Sequence, residues 1–177
     1  MGLSFKLKRI GLIGLMLLLA GSFVGCGLIQ KRGPLDIQKV SYSIGGGDTG
    51  FLKVYVITSD EVVLYDFKDS GSDLDGYDYF TEGLPSKGEY TVSTHKVTKD
   101  EWTNLVNVLT RVNYMEIPEK LPEPENVYDG CTYYIQVETA DGIHKAGGYE
   151  AGYEKDSDSR RFKGALEPIN LIIGDMG

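Results

Sequence analysis

Cys131-Thr132-Tyr133-Tyr134-Ile135-Gln136-Val137-Glu138-Thr139, then Ala140-Asp141-Gly142 and Ile143–Tyr149, is the stretch whose reading decides the fold. Cys131, Tyr133, Ile135 and Val137 alternate with Thr132, Tyr134, Gln136 and Glu138, the period of a strand with one buried face. Asp141-Gly142 carries a strong hairpin signal and predicts a type I′ turn, so Ile143–Tyr149 pairs back antiparallel. Upstream, Ile37–Ile44 and Phe51–Thr58 alternate in the same way around Gly45-Gly46-Gly47-Asp48-Thr49-Gly50. Ser59-Asp60 turns into Glu61–Phe67, completing a three-strand meander, and Glu89–Val97 reads as a further strand. Thr98-x-x-Glu101 is a capping box that opens a helix with Trp102, Leu105, Val106 and Leu109 on one apolar stripe. Trp102 is expected to make that helix's largest core contribution. Arg160–Ile173 reads as the closing helix, with Pro168 kinking it or starting a shorter one. These elements predict an α+β fold: an antiparallel sheet of about five or six strands with two helices packed on one face.

The motifs that carry chemistry are sparse. The glycine run at 45–50 leads into a strand, whereas a phosphate loop must open a helix and here also lacks its Lys-Ser/Thr pair. Ser93-Thr94-His95-Lys96 matches Ser-x-x-Lys on a strand, without the Ser-Asp-Asn and Lys-Thr-Gly that accompany that nucleophile. In the acidic loop 68–88, Asp73, Asp75 and Glu82 fall at positions three, five and twelve of a calcium loop with Gly76 at six. Gly71 stands where the first ligand belongs, and no helices flank the loop. Asp73, Asp75 and Glu82 are therefore a weak candidate Ca²⁺ site, and no other cofactor is expected. His95 and His144 belong to no metal-binding spacing, and Cys131 is expected to be a buried, inert thiol. A Cys131–His144 pair shares one predicted hairpin but has no third orienting group. No catalytic constellation emerges, so the chain is expected not to be an enzyme.

The N-terminus carries an address. Lys6, Lys8 and Arg9 precede the apolar run Ile10–Ala20, and small residues lead to Cys26. That is the three-part pattern of a secretory signal. The apolar segment to Gly25 spans about 24 Å as a helix, short of a hydrocarbon core of about 30 Å. Phe23-Val24-Gly25-Cys26 resembles the lipobox of bacterial lipoproteins, with Phe23 in place of the usual Leu. The resemblance implies cleavage before Cys26, a diacylglycerol on its sulfur, and export to the extracytoplasmic side of the cell membrane. The expected organisation is a signal peptide at 1–25, a lipidated cysteine and tether at 26–36, and a single domain at 37–177.

Charge narrows the partners. The whole chain has 18 basic and 26 acidic residues. Loss of residues 1–25 removes three basic residues and no acids, which leaves a net charge of −11 on the mature protein. Such a surface repels nucleic acid and anionic headgroups, so lipid, rather than a basic patch, must hold the protein at a membrane. With Cys26 lipidated, Cys131 has no internal disulfide partner.

Twelve tyrosines offer rigid contact area with polar tips. Tyr77 and Tyr79 in the acidic loop, with Tyr149 and Tyr153 near the late loop, are the candidate interaction surface. The mature chain also resembles the emfourin-type inhibitors of thermolysin-like metallopeptidases. The resemblance rests on a Gly-Gly turn after the first strand and a helix ending near Val112-Asn113-Tyr114-Met115-Glu116-Ile117-Pro118. A Tyr-x-Ile-x-Val strand (Tyr133, Ile135, Val137) and a closing helix with Leu166 and Leu171-Ile172 complete it. The loop at 68–88 and Gly47-Asp48-Thr49-Gly50 depart from that pattern. The leading expectation is a lipid-anchored, non-catalytic binding module with a protein or cell-envelope partner. The alternative is a surface-tethered inhibitor of secreted metallopeptidases.

Overall fold

A computed structural model describes residues 33–46, 50–67, 79–83, 89–174 and 176, with the side chains of Thr81 and Glu82 excepted. Pro34–Gly177 forms a compact unit of its own. Six strands make one antiparallel sheet: β1 (Ile37–Gly46), β2 (Phe51–Ile57), β3 (Glu61–Phe67), β4 (Tyr90–Lys96), β5 (Cys131–Thr139) and β6 (Gly142–Tyr149). Their spatial order is β4-β3-β2-β1-β5-β6. The helices are α1 (Lys99–Arg111) and α2 (Ser157–Ile173), with single turns at Tyr79–Glu82 and Tyr114–Glu116. The expected α+β architecture is therefore the observed one.

Strand alternation decides which face the helices cover. Val40 and Tyr42 of β1 lie opposite Ile57 and Tyr55 of β2 and opposite Val137 and Ile135 of β5. These six join Val62 and Leu64 beneath Leu105 and Leu109 of α1 and Phe162, Ala165 and Ile169 of α2 in one buried cluster. A register shift between Ile37 and Lys39 lets Ile37 reach the same core despite its odd spacing from Val40. On the opposite face Leu52, Val54 and Phe67 form a second, smaller cluster, and Tyr79 packs against it from the acidic loop.

Three local expectations are corrected. The hairpin pairs Thr139 with Gly142, so its two-residue loop is Ala140-Asp141. Neither of these has positive φ; Gly142 does, at 153°, and the turn is not type I′. Trp102 is only half-buried at the rim of the core, while Leu105, Val108 and Leu109 face inward. Among the described residues the largest fully buried side chain is Tyr114, just beyond the helix. Finally, α2 begins at Ser157 and continues past Pro168 to Ile173, so Pro168 does not start a shorter helix. Pro168 is itself buried between Ala165 and Ile169, so core packing offsets the backbone hydrogen bond that proline removes.

Capping follows the sequence closely at the start of α1. The Thr98 N–H donates to Glu101 Oε2 at 2.7 Å, and the Glu101 N–H donates to Thr98 Oγ1 at 3.3 Å. Asp156 accepts from the N–H groups of Asp158 and Ser159 to cap α2. The C-terminal end of α1 is closed by α2: Arg161 Nε donates to the Val112 carbonyl at 2.7 Å and Nη2 to that of Asn113. Leu35, in the expected tether, already belongs to the domain, since its N–H donates to Thr110 Oγ1 and its side chain packs on the core.

Candidate functional site

Between the Tyr114–Glu116 turn and β5 the chain runs through Pro118, Pro122 and Pro124 with no regular structure of its own. Proline fixes φ and removes a donor at each of these positions, so the segment must find its hydrogen bonds elsewhere. It finds them on β6. His144 Nε2 lies 2.8 Å from the Ile117 carbonyl; a carbonyl only accepts, so this nitrogen carries the proton. The Gly147 N–H donates to the Glu119 carbonyl and the Leu121 N–H donates to the Gly147 carbonyl, both at 3.0 Å. Leu121 is buried beside this bridge. Further along, the Tyr149 hydroxyl donates to the Val127 carbonyl at 3.3 Å and accepts from the Gly130 N–H at 2.8 Å. Glu150 Oε1 accepts from the Cys131 N–H at 2.7 Å, closing the segment onto β5.

This strap borders the clefts of the domain. One, of about 560 Å³, lies between Pro122–Val127 and the group Tyr153, Glu154 and Asp156. Another, of about 390 Å³, is lined by Glu119, Lys120, Thr132, Tyr134, Lys145 and Tyr149. Tyr153 is 63% exposed at the rim of the first, and Tyr128 on the strap is 81% exposed. Glu123, Glu125, Glu154 and Asp156 make that cleft anionic. Hydrogen bonds to Ser159 and to the Asp158 N–H hold the Asp156 carboxyl below its ordinary range, so it stays charged.

The candidate surface residues separate. Tyr153 is free at the cleft, whereas Tyr149 is spent on holding the strap. Tyr79 is half-buried on the far face of the sheet, near Tyr65 and the Lys39–Glu138 ion pair, and burial pushes its phenol upward. Tyr77, Asp73, Asp75 and Cys26 lie outside the described residues; Glu82 ends the helical turn, its side chain outside them as well. Among the described residues no group of three His, Cys, Asp or Glu side chains converges as a metal site. No helix among them is long and apolar enough to cross a membrane.

Cys131 is half-buried, and burial, with the nearby charge of Glu150, raises its thiol pKa despite a hydrogen bond with Tyr133. His144 lies opposite Val137, six residues along β5 from Cys131. That separates the two by about 20 Å, at roughly 3.3 Å per residue, so they form no dyad. In sequence the strap, from Asn113 through Pro118, Pro122 and Pro124, reads as an acidic, semi-extended connection, and its fastening to β6 is the part that this reading lacks. Its signal was three prolines and several glutamates in a connection too long to be a simple turn. Comparison with models of known families and with curated proteins finds no match.

Proposed function

We propose that this protein is a lipid-anchored, extracytoplasmic binding module that acts without catalysis, and that the strap and its cleft take a polypeptide partner. The observation that carries the reading is the way the strap is held. Ordering an irregular, proline-bearing segment costs conformational entropy, and anchors at Ile117, Glu119, Leu121, Val127 and Gly130, which also satisfy its backbone groups, hold it more firmly than spanning the gap requires. A recognition loop does gain, because a surface ordered beforehand loses less entropy on binding. Tyr128 and Tyr153 supply exposed aromatic area, and the anionic cleft selects a segment carrying Lys or Arg. Anchorage rests on the lipobox resemblance at Phe23–Cys26.

The same rigid presentation supports a second reading, a tethered inhibitor of secreted metallopeptidases, which the emfourin resemblance suggests. Pre-organised loops are the usual means by which inhibitor proteins engage peptidases. The two readings part in one experiment. Envelope partners are recovered with the wild type and with Tyr128→Ala/Tyr153→Ala, and the purified protein is titrated into secreted metallopeptidases. A partner lost from the double variant, with no stoichiometric block of peptidase turnover, supports the binding module. A partner retained equally by both proteins overturns the assignment to this cleft. For the anchor, Cys26→Ala should abolish lipid labelling and leave the precursor unprocessed.

A further inference from the structure

The sheet treats its two edges differently. At β6 the strap occupies the outward N–H and C=O of Gly147, covering part of that edge. At β4 every residue from Tyr90 to Lys96 is exposed, there is no proline, and the pairing with β3 runs without a bulge. No described residue pairs with the outer side of β4, and an edge of this kind is a template for another strand.

The phase of the ladder identifies which groups are free. The Val97 N–H donates to the Asp60 carbonyl, and the register places Lys96 opposite Glu61, so hydrogen-bonded pairs recur at His95–Val62, Ser93–Leu64 and Thr91–Asp66. The backbone groups of Tyr90, Val92, Thr94 and Lys96 therefore point outward. These four are symmetric about Ser93. An antiparallel twofold centred there sets Tyr90 against Lys96 of the other copy and Val92 against Thr94, and all their outward groups are satisfied. Cation meets aromatic ring, β-branched meets β-branched, and no like charges face each other. Tyr90, 44% exposed, and Val92, 54% exposed, both gain cover. Ser93 falls on the axis as a non-hydrogen-bonded pair, where Cα atoms approach to about 4.5 Å and a small side chain fits.

We propose that β4 is a homotypic interface, at which a second copy of this chain adds its own β4 antiparallel about a twofold axis through Ser93. The test uses full-length protein in mild detergent, with Cys26→Ala and Cys131→Ala removing both native thiols. Ser93→Cys then provides the sole thiol, and copper–phenanthroline with oxygen accepts the two electrons released as the disulfide forms. The expected result is a reducible band of twice the monomer mass. Thr91→Cys, which faces His95 rather than itself, should cross-link at least about fivefold less, because disulfide geometry is strict. Adding Val92→Pro removes an outward N–H but no bond to β3, and should lower Ser93→Cys cross-linking by at least about fivefold with melting unchanged. Should that proline unfold the domain, Tyr90→Lys sets like charges directly opposite, against Lys96 of the other copy, and should have the same effect. A monomeric Ser93→Cys protein, equal cross-linking at 91 and 93, or indifference to both edge substitutions overturns the proposal.

Discussion

Replacing Arg161 should reveal how firmly the two helices are coupled. Its guanidinium donates to the carbonyls of Val112 and Asn113, the exposed C-terminal end of α1, and to Asp158 Oδ1 at 2.8 Å. Hydrogen bonds from a charged donor contribute about 1.5–3 kcal/mol each, but this group is partly exposed, which lowers the figure. The Asp158 pair, with both side chains reached by solvent, contributes about 0–1 kcal/mol. Arg161→Ala is therefore expected to cost about 2–4 kcal/mol, nearly all of it from the two carbonyls. Arg161→Lys keeps a cation near the helix end but not the fork, and should recover about half. Asp158→Ala should cost under about 1 kcal/mol. Urea denaturation of the three variants measures this directly, and melting should fall by about 5–12 °C for the alanine variant. Arg161→Ala within about 0.5 kcal/mol of wild type, or Asp158→Ala equally damaging, would refute the reasoning.

The Glu101 carboxyl is held below its ordinary range by the Thr98 N–H and hydroxyl, so its contribution is present above the unfolded value and disappears as pH falls through the folded one. Glu101→Ala should thus cost a few tenths to about 1 kcal/mol at pH 7, and the gap from wild type should close below about pH 4 in pH-dependent melts. At Gly147, where φ is 157°, an added Cβ would stand 2.1 Å from the Tyr133 carbonyl oxygen, so Gly147→Ala must displace the strand and its strap bonds. A loss of about 3 kcal/mol or more is expected there, whereas Gly142→Ala, equally positive in φ but open in space, should cost only about 1–2 kcal/mol. Cys131 should react with iodoacetamide at pH 7.5 at least about tenfold more slowly in the folded protein than in urea, since burial disfavours its thiolate.

How far the sequence could be read follows from the range of each interaction. Alternation is local, so the strands of the meander and the Cys131–Tyr149 hairpin were legible, as was the Thr98–Glu101 box four residues long. Errors entered where a longer-range contact overruled a local preference. Asp141-Gly142 read as the turn, yet pairing of Thr139 with Gly142 moved the loop back by one residue. Pro168 read as a kink or as the first turn of a shorter helix, yet it lies buried within one helix that runs from Ser157 to Ile173. The stripe on α1 was read correctly as apolar, but the large fully buried ring comes from the turn at Tyr114, whose hydroxyl donates to the Ile135 carbonyl at 2.7 Å, while Trp102 stays half-buried.

The strap was the least legible feature because its anchors are ordinary strand residues elsewhere in the chain. His144 has the look of a surface histidine on a hairpin and Gly147 of a weak point in a strand; neither announces partners 26 to 28 residues upstream. Gly147 is required because the approach of Tyr133 leaves no room for a side chain, and the conformation that glycine permits turns its N–H and C=O toward Glu119 and Leu121. The residue that weakens β6 as a strand is thus the one that fastens the strap. Protection of an edge and fastening of the strap become a single structural event. That links the two surfaces proposed above: β6, with part of its edge engaged, would offer its strap to a different protein, while β4, whose outer side no described residue pairs with, would be left to a second copy.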